Sequence, residues 1–343
     1  MQQLSKLRWL LRPRVLIPAI IIGGLVVALF GFADLHQVAR LTVGFQRSYL
    51  LFFFLLMLAY TTIRGAQWLV LMHALAVPAT LRAQIFAFLG GEVTKYMPIG
   101  NYFQGYLLQE ASGADFARTS AASTLIVLIE VAISLAALVI IGINGWDWLR
   151  PVIVIGLAVF SFIAWSVARL HDSLRLPPWF AEHAWYRAAR KEFDQFCEGA
   201  ADLLDPAVLA KVVPLGAAYT LCAGGALYVV VLGLGVQHLS FWQALAAYYF
   251  SLAFTLIVPV PIDLGAFEAS GIGALITMGV DRNAAVSIVL INRALGIGYS
   301  IVVALAAFIV LRDELRAALG SRQEKRGAAP PPATVVEATE AAS

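Results

Sequence analysis

Six stretches of this sequence stay predominantly apolar for about 20 residues or more: 15–33, 48–77, 119–143, 151–170, 207–236 and 284–311. A helix of that length crosses the ~30 Å hydrocarbon core of a bilayer. No water satisfies backbone N–H and C=O groups there, so a spanning segment must close its hydrogen bonds internally, as a helix or in a closed barrel. The runs are continuous rather than alternating, which selects the helix. The predicted class is therefore all-α: a polytopic helical membrane protein. Composition closes off the other classes. Of 343 residues, 61% are apolar and 13% charged, against about 25% charged in a soluble chain. A soluble enzyme, a disordered chain and a secreted disulfide scaffold are excluded.

Two further regions carry shorter apolar pieces. Segments 83–98 and 100–111 are interrupted at Tyr96-Met97-Pro98-Ile99-Gly100, and 241–258 and 266–280 at Pro259-Val260-Pro261-Ile262-Asp263. Basic residues mark the cytoplasmic side. They cluster at 1–14 (Lys6, Arg8, Arg12, Arg14), at 171–206 (Arg175, Arg187, Arg190, Lys191) and beyond 311 (Arg312, Arg316, Arg322, Lys325, Arg326). About six crossings satisfy all three clusters if each broken pair is a re-entrant hairpin; eight or more full spans is the alternative. Run 15–33 exceeds the 7–15 residues of a signal h-region, so it is expected to stay as the first span with both termini cytoplasmic.

The resulting organisation is a basic N-terminus (1–14), a first transmembrane half (15–170), a cytoplasmic amphipathic loop (171–206), a second half (207–311) and a basic, disordered tail (312–343). Within 181–205, Trp185, Ala189, Phe193, Phe196, Ala200 and Leu203 recur at steps of four and three, which predicts an amphipathic helix at the membrane surface. An internal match at an offset of 163 residues relates Met97-Pro98-Ile99 to Val260-Pro261-Ile262 and sets Glu130 against Arg293. Paired, proline-interrupted segments in two halves mark a midplane site in transporters. They suggest an inverted repeat.

Ionisable groups at membrane depth are the informative residues, each costing roughly 2.5–3.5 kcal/mol at a helix centre on the insertion scale. Arg64, Glu130 and Arg293 lie mid-run, while Glu92, Lys95, Asp263 and Glu268 flank the breaks. Trp68, four residues after Arg64, offers a cation–π partner, and Glu130 with Arg293 offers an ion pair bridging the halves. Pro98, Pro259, Pro261, Asp263 and Gly265 are expected to line a cavity, since irregular backbone is tolerated in a membrane only where it is buried in protein or lines one. Gly265, Ala269 and Gly273 form a small-residue stripe that predicts a helix-packing face. No His-Glu-x-x-His, Walker loop or Gly-x-Ser-x-Gly is present, and Cys197 and Cys222 suit neither a disulfide nor a metal. No metal, cofactor or nucleic-acid partner is expected.

The sequence Pro259-Val260-Pro261-Ile262-Asp263-Leu264-Gly265-Ala266-Phe267-Glu268, with Arg293 about 25 residues on, resembles the Pro-x-Pro-Gly-Gly-x-Gly-x-x-Glu signature of the lysylphosphatidylglycerol synthase transmembrane region. Arg64 to Trp68, the break at Pro98 and the helix of Glu130 resemble its first half. Ile262 and Asp263 stand in place of the glycine pair, and Val131 and Ser134 in place of an arginine and an aspartate. The resemblance implies a flippase-like translocase or lipid-binding transporter in the bacterial cytoplasmic membrane, moving a phospholipid or other polar lipid between leaflets. Arg64, Glu130, Glu268 and Arg293 would bind the headgroup. The soluble aminoacyl-transferring domain of bifunctional members has no counterpart in these residues, so lipid aminoacylation is not expected. A non-catalytic accessory subunit that meets enzymes of lipid, hopanoid or glycolipid synthesis is the alternative, and a membrane-embedded transferase with Glu92 or Asp263 as base ranks last.

Overall fold

The computed structural model describes residues 35–94, 100–142, 184–257 and 265–310, together with 150, 151, 153–155 and 158. Every assigned element among them is helical: α1 (Leu35–Val43), α2 (Ser48–Ala74), α3 (Leu81–Thr94), a 3₁₀ turn (Gly100–Tyr102), α4 (Phe103–Ser112), α5 (Phe116–Ile141), α6 (Ala184–Leu203), α7 (Pro206–Gly233), α8 (Phe241–Ile257), α9 (Ala266–Thr277) and α10 (Arg282–Val310). The chain is a polytopic helical membrane protein. Helices α2, α5, α7 and α10 are long and apolar enough to cross a bilayer and coincide with four of the six predicted spans. The remaining two, 15–33 and 151–170, lie outside the described residues apart from 151, 153–155 and 158, which are helical. The two chain ends, 1–14 and 312–343, lie outside them as well.

The broken segments appear as short helices packed side by side, α3 on α4 and α8 on α9. At 1.5 Å per residue, the 14 residues of α3 extend about 21 Å and the 12 of α9 about 18 Å. Over the described residues both fall short of a bilayer core. Prolines 98, 259 and 261 and Asp263, which interrupt these pairs, lie outside the described residues.

Each half therefore has the same order: a long helix, a pair of short ones, then a second long helix. The packing repeats too. The opening helices α2 and α7 lie against one another. The first short helix of each pair packs on the closing helix of the other half, α3 on α10 and α8 on α5. The helices ahead of each half do the same, α1 on α10 and α6 on α5. Every such contact recurs with the halves exchanged, which is the signature of a pseudo-twofold relation. The order of helices and their contacts agree with the repeat suggested by the 163-residue offset.

On α2 the residues turned inward, Phe53, Met57, Tyr60, Arg64, Gln67, Trp68 and Leu71, recur at three- and four-residue steps, while Leu51, Phe52, Leu55 and Leu58 stay more than half exposed. In a spanning helix that outer face meets acyl chains. Small residues set the closest approaches: a Cβ on Gly271 would lie 2.7 Å from Ser251 Oγ, whereas one on Gly273 would meet nothing. Ala269 is exposed. The predicted stripe of Gly265, Ala269 and Gly273 is therefore not the packing face; α9 is rotated so that Ser270, Gly271 and Ala274 are buried.

The amphipathic helix predicted over 181–205 is α6. It docks on α5, burying Cys197 and Leu203, and Arg118 binds Asp202 at 2.7 Å. Ahead of α5, Asp115 caps the helix, its carboxylate accepting from the backbone N–H of Ala117 at 2.8 Å and of Arg118 at 3.3 Å. Asp115→Ala is expected to cost about 1 kcal/mol, read as a lower unfolding midpoint in detergent.

Candidate functional site

The buried charges converge where the two halves meet. On α2, side chains lean toward the helix N-terminus, as they do in any α-helix. Arg64 therefore reaches back one turn to Tyr60, and its Nη1 donates to the Tyr60 hydroxyl at 2.8 Å. The same Nη1 binds Glu92 Oε1 at 2.5 Å, tying α2 to the end of α3. The guanidinium carbon lies 5.8 Å from the ring centres of both Tyr60 and Tyr219. Trp68, the partner expected from sequence, faces elsewhere: its indole N–H donates to the Gln84 carbonyl at 3.3 Å. The one-turn lean explains the correction, because Arg64 meets the residue four before it rather than four after.

A second ionic cluster sits on α9 and α10. The N–H of Gly265, the residue preceding α9, donates to Glu268 Oε2 at 2.6 Å, the glutamate half of a capping box, which also places a carboxylate at the positive end of the helix dipole. The other carboxylate oxygen lies 3.3 Å from Arg293 Nε, and the Arg293 guanidinium is 5.9 Å from the Phe267 ring centre. Gly265 has φ +109° and ψ −46°, a left-handed conformation that a Cβ opposes. Gly265→Ala is expected to cost on the order of 1–3 kcal/mol and to loosen Glu268; a lower melting temperature checks it.

Between the clusters lies a partly open cavity of about 160 Å³. Tyr60 and Arg64 of α2, Glu130 of α5, Tyr248 and Thr255 of α8, Phe267 of α9, and Asn292 and Arg293 of α10 are on its wall. The volume is below the ~300–1,000 Å³ typical of small-molecule pockets.

Of the predicted binding residues, Arg64, Glu130 and Arg293 thus share one cavity, and Glu268 stands behind Arg293. Gly265 positions Glu268 through its backbone. Ion pairs form within each half, Arg64–Glu92 and Glu268–Arg293, and in each an acid on a short helix meets an arginine on a long helix of its own half. Glu92 is the main functional residue the sequence left out of the site. Its charge and depth were signals, but the 28 residues separating it from Arg64 concealed the partner. Tyr60 was legible from its position one turn before Arg64. Tyr219, fully buried with no hydrogen-bond partner for its hydroxyl among the described residues, had no local signal.

Among the described residues, no group of three or more His, Cys, Asp or Glu side chains is arranged to hold a metal. Chemically, the cavity offers two guanidinium groups, a carboxylate and an amide within reach of the surrounding lipid. The family model described as "Lysylphosphatidylglycerol synthase TM region" matches residues 15–309. No curated protein matches the sequence significantly.

Proposed function

This chain belongs to the lysylphosphatidylglycerol synthase TM-region family, membrane proteins of lipid handling, and from that membership we propose that it is a translocase moving a polar-headgroup lipid between leaflets. The observation carrying the reading is the cavity itself. It brings Arg64, Glu130 and Arg293 from three long helices to one headgroup-sized space, between two short hairpins and at the centre of a pseudo-twofold fold. Guanidinium groups match phosphate in shape and charge, and a carboxylate matches an amine. The lipid's acyl chains need never leave the membrane.

On this reading the protein is a transporter rather than an enzyme. It resides in a bacterial cytoplasmic membrane with both termini inside, and it acts on phospholipid or a related polar lipid. An accessory-subunit role would rest on α6 as a docking element. Cys197 and Leu203 of α6 are buried against the bundle and Phe196 and Ala200 pack with the core around α5, while Phe193 stays exposed.

Leaflet-resolved lipid analysis of a deletion strain tests the proposal, with outer headgroups labelled by a reagent that does not cross the membrane. The expected result is unchanged total lipid with one class confined to the inner leaflet. Loss of a whole lipid class would move the protein to synthesis and overturn the translocase reading.

A further inference from the structure

At the 163-residue offset, Ile129 and Ile133 of α5 correspond to Asn292 and Gly296 of α10. The α5 pair fills its space: a Cβ on Gly216 of α7 would lie 2.6 Å from Ile129 Cγ2 and 3.0 Å from Ile133 Cδ1. The α10 pair is on the wall of the cavity instead. An amide and a bare glycine stand where the other half places two isoleucine side chains, and the space they leave is part of the site. The matching position of the fold is packed with isoleucine, so packing alone does not call for an amide.

A polar side chain in a spanning helix is ordinarily held by a hydrogen bond to a neighbouring helix. Among the described residues the Asn292 side chain forms none, and it is half-buried on the cavity wall. Thr255 of α8 is on the same wall, and its hydroxyl donates to the Ser251 carbonyl at 2.8 Å. With that proton engaged, the Thr255 oxygen is left as an acceptor. Beside the guanidinium groups of Arg64 and Arg293, the cavity therefore offers an amide that both donates and accepts, and a hydroxyl that accepts.

We propose that Asn292 selects lipids whose phosphate-linked headgroup carries a pair of adjacent hydroxyls, as glycerol and sugar headgroups do. The inference rests on the translocase reading and names the substrate class of the same cavity. One hydroxyl of such a pair donates to the Asn292 side-chain oxygen while the other accepts from its N–H, so both ends of the amide are met. Thr255 offers a further acceptor on the same wall. Gly296, one turn from Asn292 on the same face of α10, leaves room for the headgroup carbons. The arginines take the phosphate, so the two parts of the headgroup are held by different residues. An ammonium group has donors only and a quaternary ammonium has none. Either would leave the amide N–H unmet when the headgroup displaces water, and a buried donor without a partner costs more than a typical hydrogen bond contributes.

Leaflet transfer in phosphatidylcholine vesicles containing the full-length protein tests the selection. The probes are acyl-labelled phosphatidylglycerol and phosphatidylpropanol, which share the phosphate charge and the three-carbon headgroup and differ only in the hydroxyls. The wild-type protein should move the glycerol probe roughly 10- to 100-fold faster than the propanol probe. In Asn292→Leu, and in Asn292→Ile, which copies the residue at the matching position of α5, the two rates should become equal. Both rates are read on the same protein preparation, so their ratio does not depend on how much of it is folded. Equal rates for the two probes in the wild type overturn the inference and leave the translocase reading standing. So does faster transfer of labelled phosphatidylethanolamine than of the glycerol probe. A wild-type ratio that persists in both variants removes Asn292 as the selecting residue and overturns the inference as well. If the wild type moves neither probe, nor labelled phosphatidylethanolamine or phosphatidylcholine, the translocase reading falls and this inference with it. The wild-type comparison is decisive even if neither variant folds.

Discussion

Replacing Glu92 by leucine is expected to destabilise the protein by about 3–5 kcal/mol, the cost of leaving one member of a buried ion pair without its partner. The cause is the identity of the cation. A lysine left alone would lose its proton, whereas arginine stays charged at any accessible pH, so Arg64, 6% exposed, would lose its contact carboxylate and keep only Glu130 of the shared cavity as an acidic neighbour. Tyr60 offers one hydrogen bond at 2.8 Å and two phenol rings stand nearby, but neither supplies a negative charge. The double variant Arg64→Met/Glu92→Leu removes both charges and should recover most of the loss, because apolar replacement of a whole buried pair is often neutral. Denaturation of the three proteins in the same detergent measures both quantities. A Glu92→Leu protein within about 1 kcal/mol of wild type would mean that Arg64 is solvated, and the buried-pair description would be wrong.

The second large effect falls on transport. Arg293→Gln/Glu268→Gln removes one charge of each sign, so no isolated charge is created and the charge sum of the site is unaltered. The amide that replaces the Glu268 carboxylate retains a carbonyl oxygen to accept the Gly265 N–H, which keeps the cap of α9. The fold is therefore expected to persist while leaflet transfer slows roughly 10- to 100-fold. That range is the loss of one charge-assisted hydrogen bond to the headgroup, about 1.5–3 kcal/mol. Transfer of fluorescent lipid in reconstituted vesicles, compared at matched protein orientation, is the measurement. Wild-type rates from a folded double variant would remove Arg293 from the headgroup site.

Much of the helical scaffold was legible in the apolar runs. The stretches 48–77, 119–143, 207–236 and 284–311 became α2, α5, α7 and α10 with ends moved by a few residues, because chain length and the need to satisfy backbone hydrogen bonds leave a membrane segment few options. Helix α1 was not anticipated: at nine residues it falls below the length at which periodicity stands out. The candidate residues were legible for a related reason. A charge at membrane depth is costly enough that each one is conspicuous, and Arg64, Glu130, Glu268 and Arg293 needed no alignment to be found.

Their partners were another matter. Sequence spacing pointed Arg64 toward Trp68, and the structure joins Arg64 to Glu92, and Arg293 to Glu268. Among several buried charges of similar cost, local sequence cannot decide which pair. That choice depends on how α3 crosses α2, how α9 is rotated against α10, and which face of α5 turns inward. The apolar pattern around each charge leaves these variables free. The sequence by itself determined that this chain forms membrane helices interrupted at two places and carrying a handful of expensive charges. Only the packing of its two halves against each other decided that three of those charges surround one cavity, since a cavity exists between helices and belongs to no single one of them.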